Sequence, residues 1–133
     1  MNIVLLVGLG GFAGAVLRYV VGRWVVGLSL SSDFPYHTLF VNVIGCLLIG
    51  IFYGIIEERN FSNSEFRGLL AVGFLGGFTT FSAFSIETLA LLRDGLVLQA
   101  VYNVTLQLVA TLGAVSCGFY AVRYITGYLA SSS

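Results

Sequence analysis

The sequence predicts an all-α membrane protein, a single domain over residues 1–133 with four transmembrane helices. Hydrophobic residues make up 58% of the chain and charged residues only 9%, whereas about 25% of the residues in a soluble domain are charged. Four apolar segments reach the roughly 20 residues that are needed to cross the hydrocarbon core. They are too long for strands, and lipid admits only helices or closed barrels, so helices are expected.

Polar breaks separate the four predicted helices. Helices are expected at about residues 2–28, 37–56, 66–92 and 96–124, with breaks at 29–36, 57–65 and 93–95. The chain starts apolar without a basic n-region, so the first segment is interpreted as a mature membrane helix rather than a cleaved signal peptide. The serine tail at 131–133 is expected to fray.

The arginines give no preferred orientation in the membrane. Four spans put both termini on one side, which holds Arg59, Arg67 and Arg123, and the other side holds Arg18, Arg23 and Arg93. The positive-inside rule needs a bias between the two sides, and three against three provides none. This balance favours insertion in both orientations and pairing as an antiparallel dual-topology dimer.

Several function classes are disfavoured. The chain has zero formal net charge and no lysine, so no basic patch for nucleic acid is expected. His37 is the only histidine, and no nucleophile–base pair or nucleotide-binding motif accompanies it. Cys46 and Cys117 lie in apolar runs without metal-ligand spacing. An enzyme is therefore not expected.

The third segment is unusual for a membrane helix. Gly76 and Gly77 precede five hydroxyl residues within ten positions, which are Thr79, Thr80, Ser82, Ser85 and Thr88. Adjacent glycines and threonine both weaken a helix, and a break at membrane depth is tolerated only inside protein or beside a cavity. The pattern predicts either a third helix broken near its middle at an ion site or a kinked helix whose hydroxyls bond to its own carbonyls.

Phenylalanines and amides form the other candidate features of an ion pathway. Phe81 and Phe84 alternate with the hydroxyls and could meet an anion with their positive ring edges, or could simply pack. On the fourth segment Asn103, Gln107 and Thr111 recur every four residues, as a pore wall or an interhelical hydrogen-bond seam requires.

Three further polar residues lie within apolar segments. Asn42 could donate to an anion or join two helices. Glu87 is the only acid well inside a segment, where a carboxylate is costly and either functional or placed in a wet vestibule. Arg18 could snorkel to the interface or concentrate anions at a pore mouth.

The third segment closely resembles a family signature. Residues 76–85 read G-G-F-T-T-F-S-A-F-S, followed by Glu87, and this string resembles that of the Fluc/CrcB fluoride channels. The resemblance covers nearly the whole chain, including the glycines at 11 and 14, L-R-Y at 17–19 and T-L-F-V-N at 38–42.

The resemblance implies a function, an assembly and a cofactor. Members of this family form antiparallel dual-topology homodimers in the cytoplasmic (inner) membrane, with two pores through which fluoride leaves passively in preference to chloride. It also implies a structural sodium ion at the dimer interface, held by the main-chain carbonyls of Gly76 and Thr79 from both copies.

Site roles follow from the resemblance by position. Phe81 and Phe84 match the paired pore phenylalanines, Asn42 the pore asparagine, and Ser82 and Ser85 the neighbouring hydroxyls. The helix-four polar track falls at Asn103, Gln107 and Thr111, where the first two are amides and the family pattern has tyrosine or serine. Glu87 and Arg18 match the vestibule residues.

Two other functions were weighed against a fluoride channel. A small multidrug-type exporter also uses four helices and dual topology, but it needs a carboxylate in the middle of helix one, which this sequence lacks. A non-conducting membrane assembly subunit would explain the packing glycines but not the alternation of hydroxyls and phenylalanines.

Overall fold

The computed structural model describes residues 2–28, 34–59 and 63–131. Within these ranges every regular secondary-structure element is a helix, and four stretches are long and apolar enough to cross a membrane: Ile3–Leu28, Tyr36–Glu58, Ser64–Arg93 and Val97–Tyr128. The chain is thus a multi-pass membrane protein with four spans, as the sequence predicts. Residues 29–33 and 60–62 of the two longer predicted breaks and the final two residues of the tail lie outside the described residues.

The first two spans are single helices. Helix α1 covers Ile3–Leu28 and α2 covers Tyr36–Glu58. These bounds agree with the sequence prediction to within about two residues, because the length of an apolar run sets the length of a span.

The third span has four parts. Helix α3 covers Ser64–Arg67 and leads into a π-helical segment at Gly68–Leu75. Helix α4 covers Gly76–Phe78, two extended residues follow, and α5 covers Phe81–Arg93. The π segment was not expected from the sequence, and such segments occur frequently at functional sites.

A Schellman turn joins α5 to the last helix. Gly95 has a φ of 76°, and its N–H donates to the Leu92 carbonyl over 3.2 Å while Leu96 N–H donates to the Leu91 carbonyl over 2.8 Å. Glycine adopts this left-handed conformation without steric cost. Helix α6 then covers Val97–Ser131, seven residues beyond its predicted end.

Glycines bring the helices into backbone contact in two pairs. A Cβ on Gly50 would collide with the Val115 carbonyl, and one on Gly118 with the Leu47 carbonyl, so α2 packs tightly along α6. A Cβ on Gly14 would likewise collide with the Phe74 carbonyl, where α1 packs on the third span. These small residues let the helix backbones approach closely, as in other membrane helix pairs.

The outer surface of the single chain is strongly apolar. Large side chains such as Phe12, Leu98 and Tyr124 are 73%, 80% and 77% exposed. A contiguous apolar surface of this kind marks contact with lipid or with another chain, whereas the few buried polar groups lie where α2, the third span and α6 meet.

Candidate functional site

Two extended residues interrupt the third span at its centre. Thr79 has a ψ of 157°, and Thr80 has φ and ψ of −150° and 118°. Thr79 N–H closes the last turn of α4 on the Leu75 carbonyl over 3.0 Å. The peptide groups at Thr80 therefore need partners from outside the helix.

The side chain of Asn42 provides those partners. Its Oδ1 accepts from Thr80 N–H over 2.8 Å, and its Nδ2 donates to the Thr80 carbonyl over 3.0 Å. Because a backbone N–H can only donate, this pair fixes which end of the Asn42 amide faces Thr80. A buried amide thus replaces the lost helical hydrogen bonds at the interruption.

Helix α5 restarts through a local cap. The Thr80 side chain accepts from Ala83 N–H over 3.2 Å, which satisfies one of the free donors of the new helix. The sequence favours an interruption here because two glycines weaken the preceding turn and threonine is a good N-cap.

Asn42 also connects the interruption to α6. Its Nδ2 donates to Gln107 Oε1 over 3.2 Å, and this leaves the Gln107 Nε2 group facing away from Asn42. Gln107 is only 4% exposed, and its Nε2 has no hydrogen-bond partner among the described residues. A buried donor without a partner is costly, so a site for an acceptor is indicated.

A groove of about 210 Å³ lies beside this donor. It brings together Asn42, Phe81, Phe84, Gln107 and Thr111 from the sequence-predicted set. Cys46, one turn after Asn42, also lines it and was not anticipated as a site residue, because a cysteine within an apolar run has no distinguishing pattern.

The two phenylalanines form the outer wall of the groove. Their ring centroids are 5.2 Å apart with an interplanar angle of 58°, a tilted arrangement in which ring edges are available to a small anion. Phe81 is 76% exposed in the single chain.

Hydroxyl groups near the groove are mostly engaged with their own helices. Ser85 Oγ donates to the Phe81 carbonyl over 2.9 Å, and Thr111 Oγ1 donates to the Gln107 carbonyl over 2.5 Å. Ser82 Oγ lies 3.2 Å from Thr80 Oγ1 and lines a different cavity. The structure therefore places Thr111 in the groove but leaves Ser82 and Ser85 outside its lining.

The polar stripe of α6, predicted at Asn103, Gln107 and Thr111, also includes Gln99. Asn103 is fully buried and donates to Thr88 Oγ1 over 2.9 Å, but it does not line the groove. Gln99 lies one helical turn earlier, and its Oε1 is buried without a partner among the described residues, as is Asn103 Oδ1. Extending the four-residue spacing by one step would have identified Gln99.

A second cavity, of about 760 Å³, opens on the other side of the interruption. Arg18 and Arg23 of α1, His37 and Thr38 of α2, and Ser82 are among its lining residues. Arg18 Nη1 donates to the Thr79 carbonyl over 3.5 Å, so a guanidinium approaches the interrupted backbone directly.

The Glu87 carboxylate sits next to this cavity. Thr38 Oγ1 donates to its Oε1 over 2.5 Å, and His37 Nε2 lies 3.2 Å from the same oxygen. Glu87 Oε2 is buried and has no partner among the described residues. The carboxylate is therefore held on one oxygen only.

Of the two residues proposed for sodium, Gly76 begins α4 and Thr79 is the first extended residue of the interruption. Gly76 is exposed in the single chain, and the Thr80 N–H that would bond to its carbonyl in a continuous helix donates to Asn42 instead. Uncharged carbonyls freed from a helix suit a sodium ion. Arg18 already approaches the Thr79 carbonyl, which has a second lone pair to offer.

Comparison with known proteins identifies the family. The family model described as CrcB-like protein, Camphor Resistance (CrcB), matches residues 5–119. A relative from Rhizobium etli (strain CIAT 652), named fluoride-specific ion channel FluC, is 43% identical over 118 residues, covering 89% of this chain and 94% of its own length.

Two further relatives carry the same name. The protein from Methylobacillus flagellatus is 43% identical over 120 residues, covering 90% of this chain and 94% of the relative. The protein from Shewanella baltica (strain OS155) is 46% identical over 108 residues, covering 81% and 86%. A family match over most of the four spans, together with these identities, shows that the chain belongs to the CrcB family.

Proposed function

We propose that this chain is a subunit of a fluoride-selective channel and not an enzyme. In this proposal fluoride leaves the cell passively across the cytoplasmic membrane, which limits fluoride toxicity. Relatives that align over most of their own length bear the name fluoride-specific ion channel, and the groove beside Asn42 supplies matching chemistry.

The observation that carries the proposal is a groove lined by Gln107, Phe81 and Phe84 in which the Gln107 amide has an Nε2 donor without a partner among the described residues. Fluoride is small, strongly hydrated and a strong hydrogen-bond acceptor. A pathway must replace its water with donors and still release it. An amide N–H and phenyl edges donate without a fixed charge, so binding stays weak enough for conduction.

The interruption at Thr79 and Thr80 is the broken third helix of this channel. Phe81 begins α5 and lines the groove, so the positive end of a 13-residue helix dipole lies next to the proposed fluoride path. Asn42 lowers the free-energy cost of the interruption in the protein interior, because its amide hydrogen-bonds to both peptide groups of Thr80.

The functional unit is an antiparallel homodimer surrounded by lipid. In the single chain Gly76, Phe81, Ser82 and Ser85 are all exposed, although a hydroxyl-rich, broken backbone cannot face lipid without cost. A second copy packed on this face would cover it, and the even distribution of arginines allows that copy to insert in the opposite orientation.

A sodium ion at the interface is part of the proposal. The carbonyls of Gly76 and Thr79 from both copies would hold it, and a bound cation would bias the local potential toward anions. We expect replacement of sodium by a large organic cation to lower the thermal stability of the dimer in detergent. Equal melting in both salts would contradict the sodium site.

Phe81 provides a direct test of the channel assignment. We expect Phe81→Ile to slow fluoride efflux from liposomes about fivefold, because the loss of a ring-edge contact worth roughly 1 kcal/mol removes donor character that an alkyl group lacks. Phe12→Ile is the matched control, since Phe12 is 73% exposed and lines neither cavity.

The outcomes separate the channel from the two alternatives. Equal efflux from both phenylalanine variants would remove Phe81 from the pathway. An absence of efflux from the unmodified, folded chain would favour a non-conducting assembly subunit. Fluoride movement that requires a proton gradient would favour an exporter.

A further inference from the structure

His37 contacts the vestibule carboxylate at the start of α2. We propose that His37 controls the effective charge of Glu87 beside the cavity of about 760 Å³, which shares Thr80 in its lining with the groove, and thereby makes fluoride flux rise with falling pH. This inference rests on the proposed channel function and adds to it a positioning residue and a pH dependence.

The contact between the two side chains is direct and partly hydrated. His37 Nε2 lies 3.2 Å from Glu87 Oε1, with the two side chains 39% and 19% exposed. The imidazole therefore has access to solvent protons while it faces a more buried carboxylate. Protonation of the imidazole would add a charge–charge attraction to this contact, so it would tighten the pair.

Thr38 holds the carboxylate in position for this interaction. Its hydroxyl, 3% exposed, donates to the same Oε1 atom over 2.5 Å. Glu87 Oε2 receives no hydrogen bond from the described residues. Among the described residues, His37 is the group that could place a positive charge within ion-pair distance of the Glu87 carboxylate, and it does so only when it carries a proton.

The remaining charges around the cavity are positive. From α1, Arg18, Tyr19 and Arg23 line it, and the backbone of Gly22 packs next to the His37 ring. From α5, Glu87 supplies the only carboxylate contact with His37 among the described residues, and α6 contributes no lining residue. Tyr36 is the neighbour on α2 itself.

These charges set the sign of the effect. With neutral His37, the Glu87 charge offsets one of the two arginines and lowers the attraction of the cavity for an anion. With protonated His37, the carboxylate is compensated and both arginines act on the anion. Histidine is the side chain that changes charge between about pH 5 and 8, and local positive potential raises the rate of anion entry.

The experiment measures fluoride efflux at equal pH on both sides of the liposome membrane. We expect unmodified protein to show a rise on the order of threefold between about pH 8 and about pH 5.5. Protein-free liposomes at each pH give the leak of hydrofluoric acid through lipid, which is subtracted.

Three variants distinguish a role of the His37 charge from a purely structural role of the His37 side chain. His37→Gln should show the low efflux at both pH values, since glutamine can contact Glu87 but cannot become charged. His37→Arg should show the high efflux at both, because its charge is permanent. Glu87→Gln should show the high efflux already at the higher pH, since no carboxylate charge remains to offset the arginines of the cavity.

Each result decides the matter. A flat pH profile of unmodified protein, or a full pH response in His37→Gln, would overturn the role of His37 while leaving the channel assignment in place. Absence of fluoride efflux at every pH from folded protein would instead overturn the proposed function on which the inference rests.

Discussion

At the scale of single residues, Asn42 links the interrupted backbone of the third span to α6. One amide satisfies both peptide groups of Thr80 and also contacts Gln107. Of the two roles considered from sequence, a donor to the anion or a connection between helices, the second is visible in the hydrogen bonds. The amide donor without a partner among the described residues is Gln107 Nε2.

Removal of this amide should destabilise the protein markedly. We expect Asn42→Ala to cost about 3 kcal/mol, because each buried polar group left unpaired costs roughly 1–3 kcal/mol. Thermal unfolding in detergent would measure it against Asn63→Ala, which removes only an exposed helix cap to Phe66 N–H and should cost about 1 kcal/mol. A smaller loss for Asn42→Ala than for Asn63→Ala would contradict the assigned role.

Cys46 offers a chemical probe of the groove. We expect a small methanethiosulfonate reagent to stop fluoride efflux, because Cys46 lines the same groove as Gln107 and Phe84 and an attached group would fill much of its volume. Cys117→Ser should remain sensitive to the reagent and Cys46→Ser should become resistant. Efflux from Cys46→Ser that is still blocked would show that the groove is not the path.

At the scale of elements, the lengths of most helices could be predicted from the sequence, but the change from α-helix to π-helix in the third span could not. Apolar length placed three of the four spans to within about two residues. The end of α6 was missed because residues 125–131 are compatible with a helix that extends past the hydrocarbon core. The π segment at Gly68–Leu75 was missed because a one-residue widening of helical turns leaves no mark in an all-apolar run.

The sequence predicted several of the residues that line the groove, but it did not predict which of them are hydrogen-bonded to each other. Residue type and spacing identified Asn42, Phe81, Phe84 and Gln107, which the groove brings together. The pairing of Asn42 with Thr80 depends on two spans packing in register, and a single sequence contains no signal for that. Asn103 and Gln107 share a helix face, yet only Gln107 reaches the groove.

Two glycines of α6 allow the close packing of α2 on α6 to be tested by substitution, because one lies against α2 and the other does not. We expect Gly118→Ala to destabilise the protein by about 2 kcal/mol, because its Cβ would overlap the α2 backbone at Leu47 and Ile51. Gly113→Ala has open space around the new Cβ and should be neutral or stabilising by about 0.5–1 kcal/mol through helix propensity. Equal melting temperatures of the two variants would contradict the α2–α6 packing.

At the scale of the whole molecule, the balance of charges bears on assembly. The carboxylate of Glu58 pairs with Arg123 at 3.3 Å toward the end that carries the chain termini. Neither end of the bundle has an excess of arginine to hold it in the cytoplasm. An antiparallel pair of copies would present the same surfaces to both sides of the membrane.

Orientation can be tested in cells. We expect topology reporters fused to the C-terminus to give signals from both sides of the membrane. Addition of three lysines next to that terminus should shift the population toward a cytoplasmic C-terminus and reduce fluoride export, because fewer antiparallel pairs can form. A single orientation of the unmodified chain would exclude the antiparallel homodimer.

The central claim is that this chain alone forms a fluoride-selective pathway. The most direct measurement is efflux from liposomes that contain the purified protein, with a fluoride electrode and a chloride electrode in the same chamber. The account predicts rapid loss of fluoride while chloride is retained. Equal loss of both ions, or retention of both by folded protein, would contradict it.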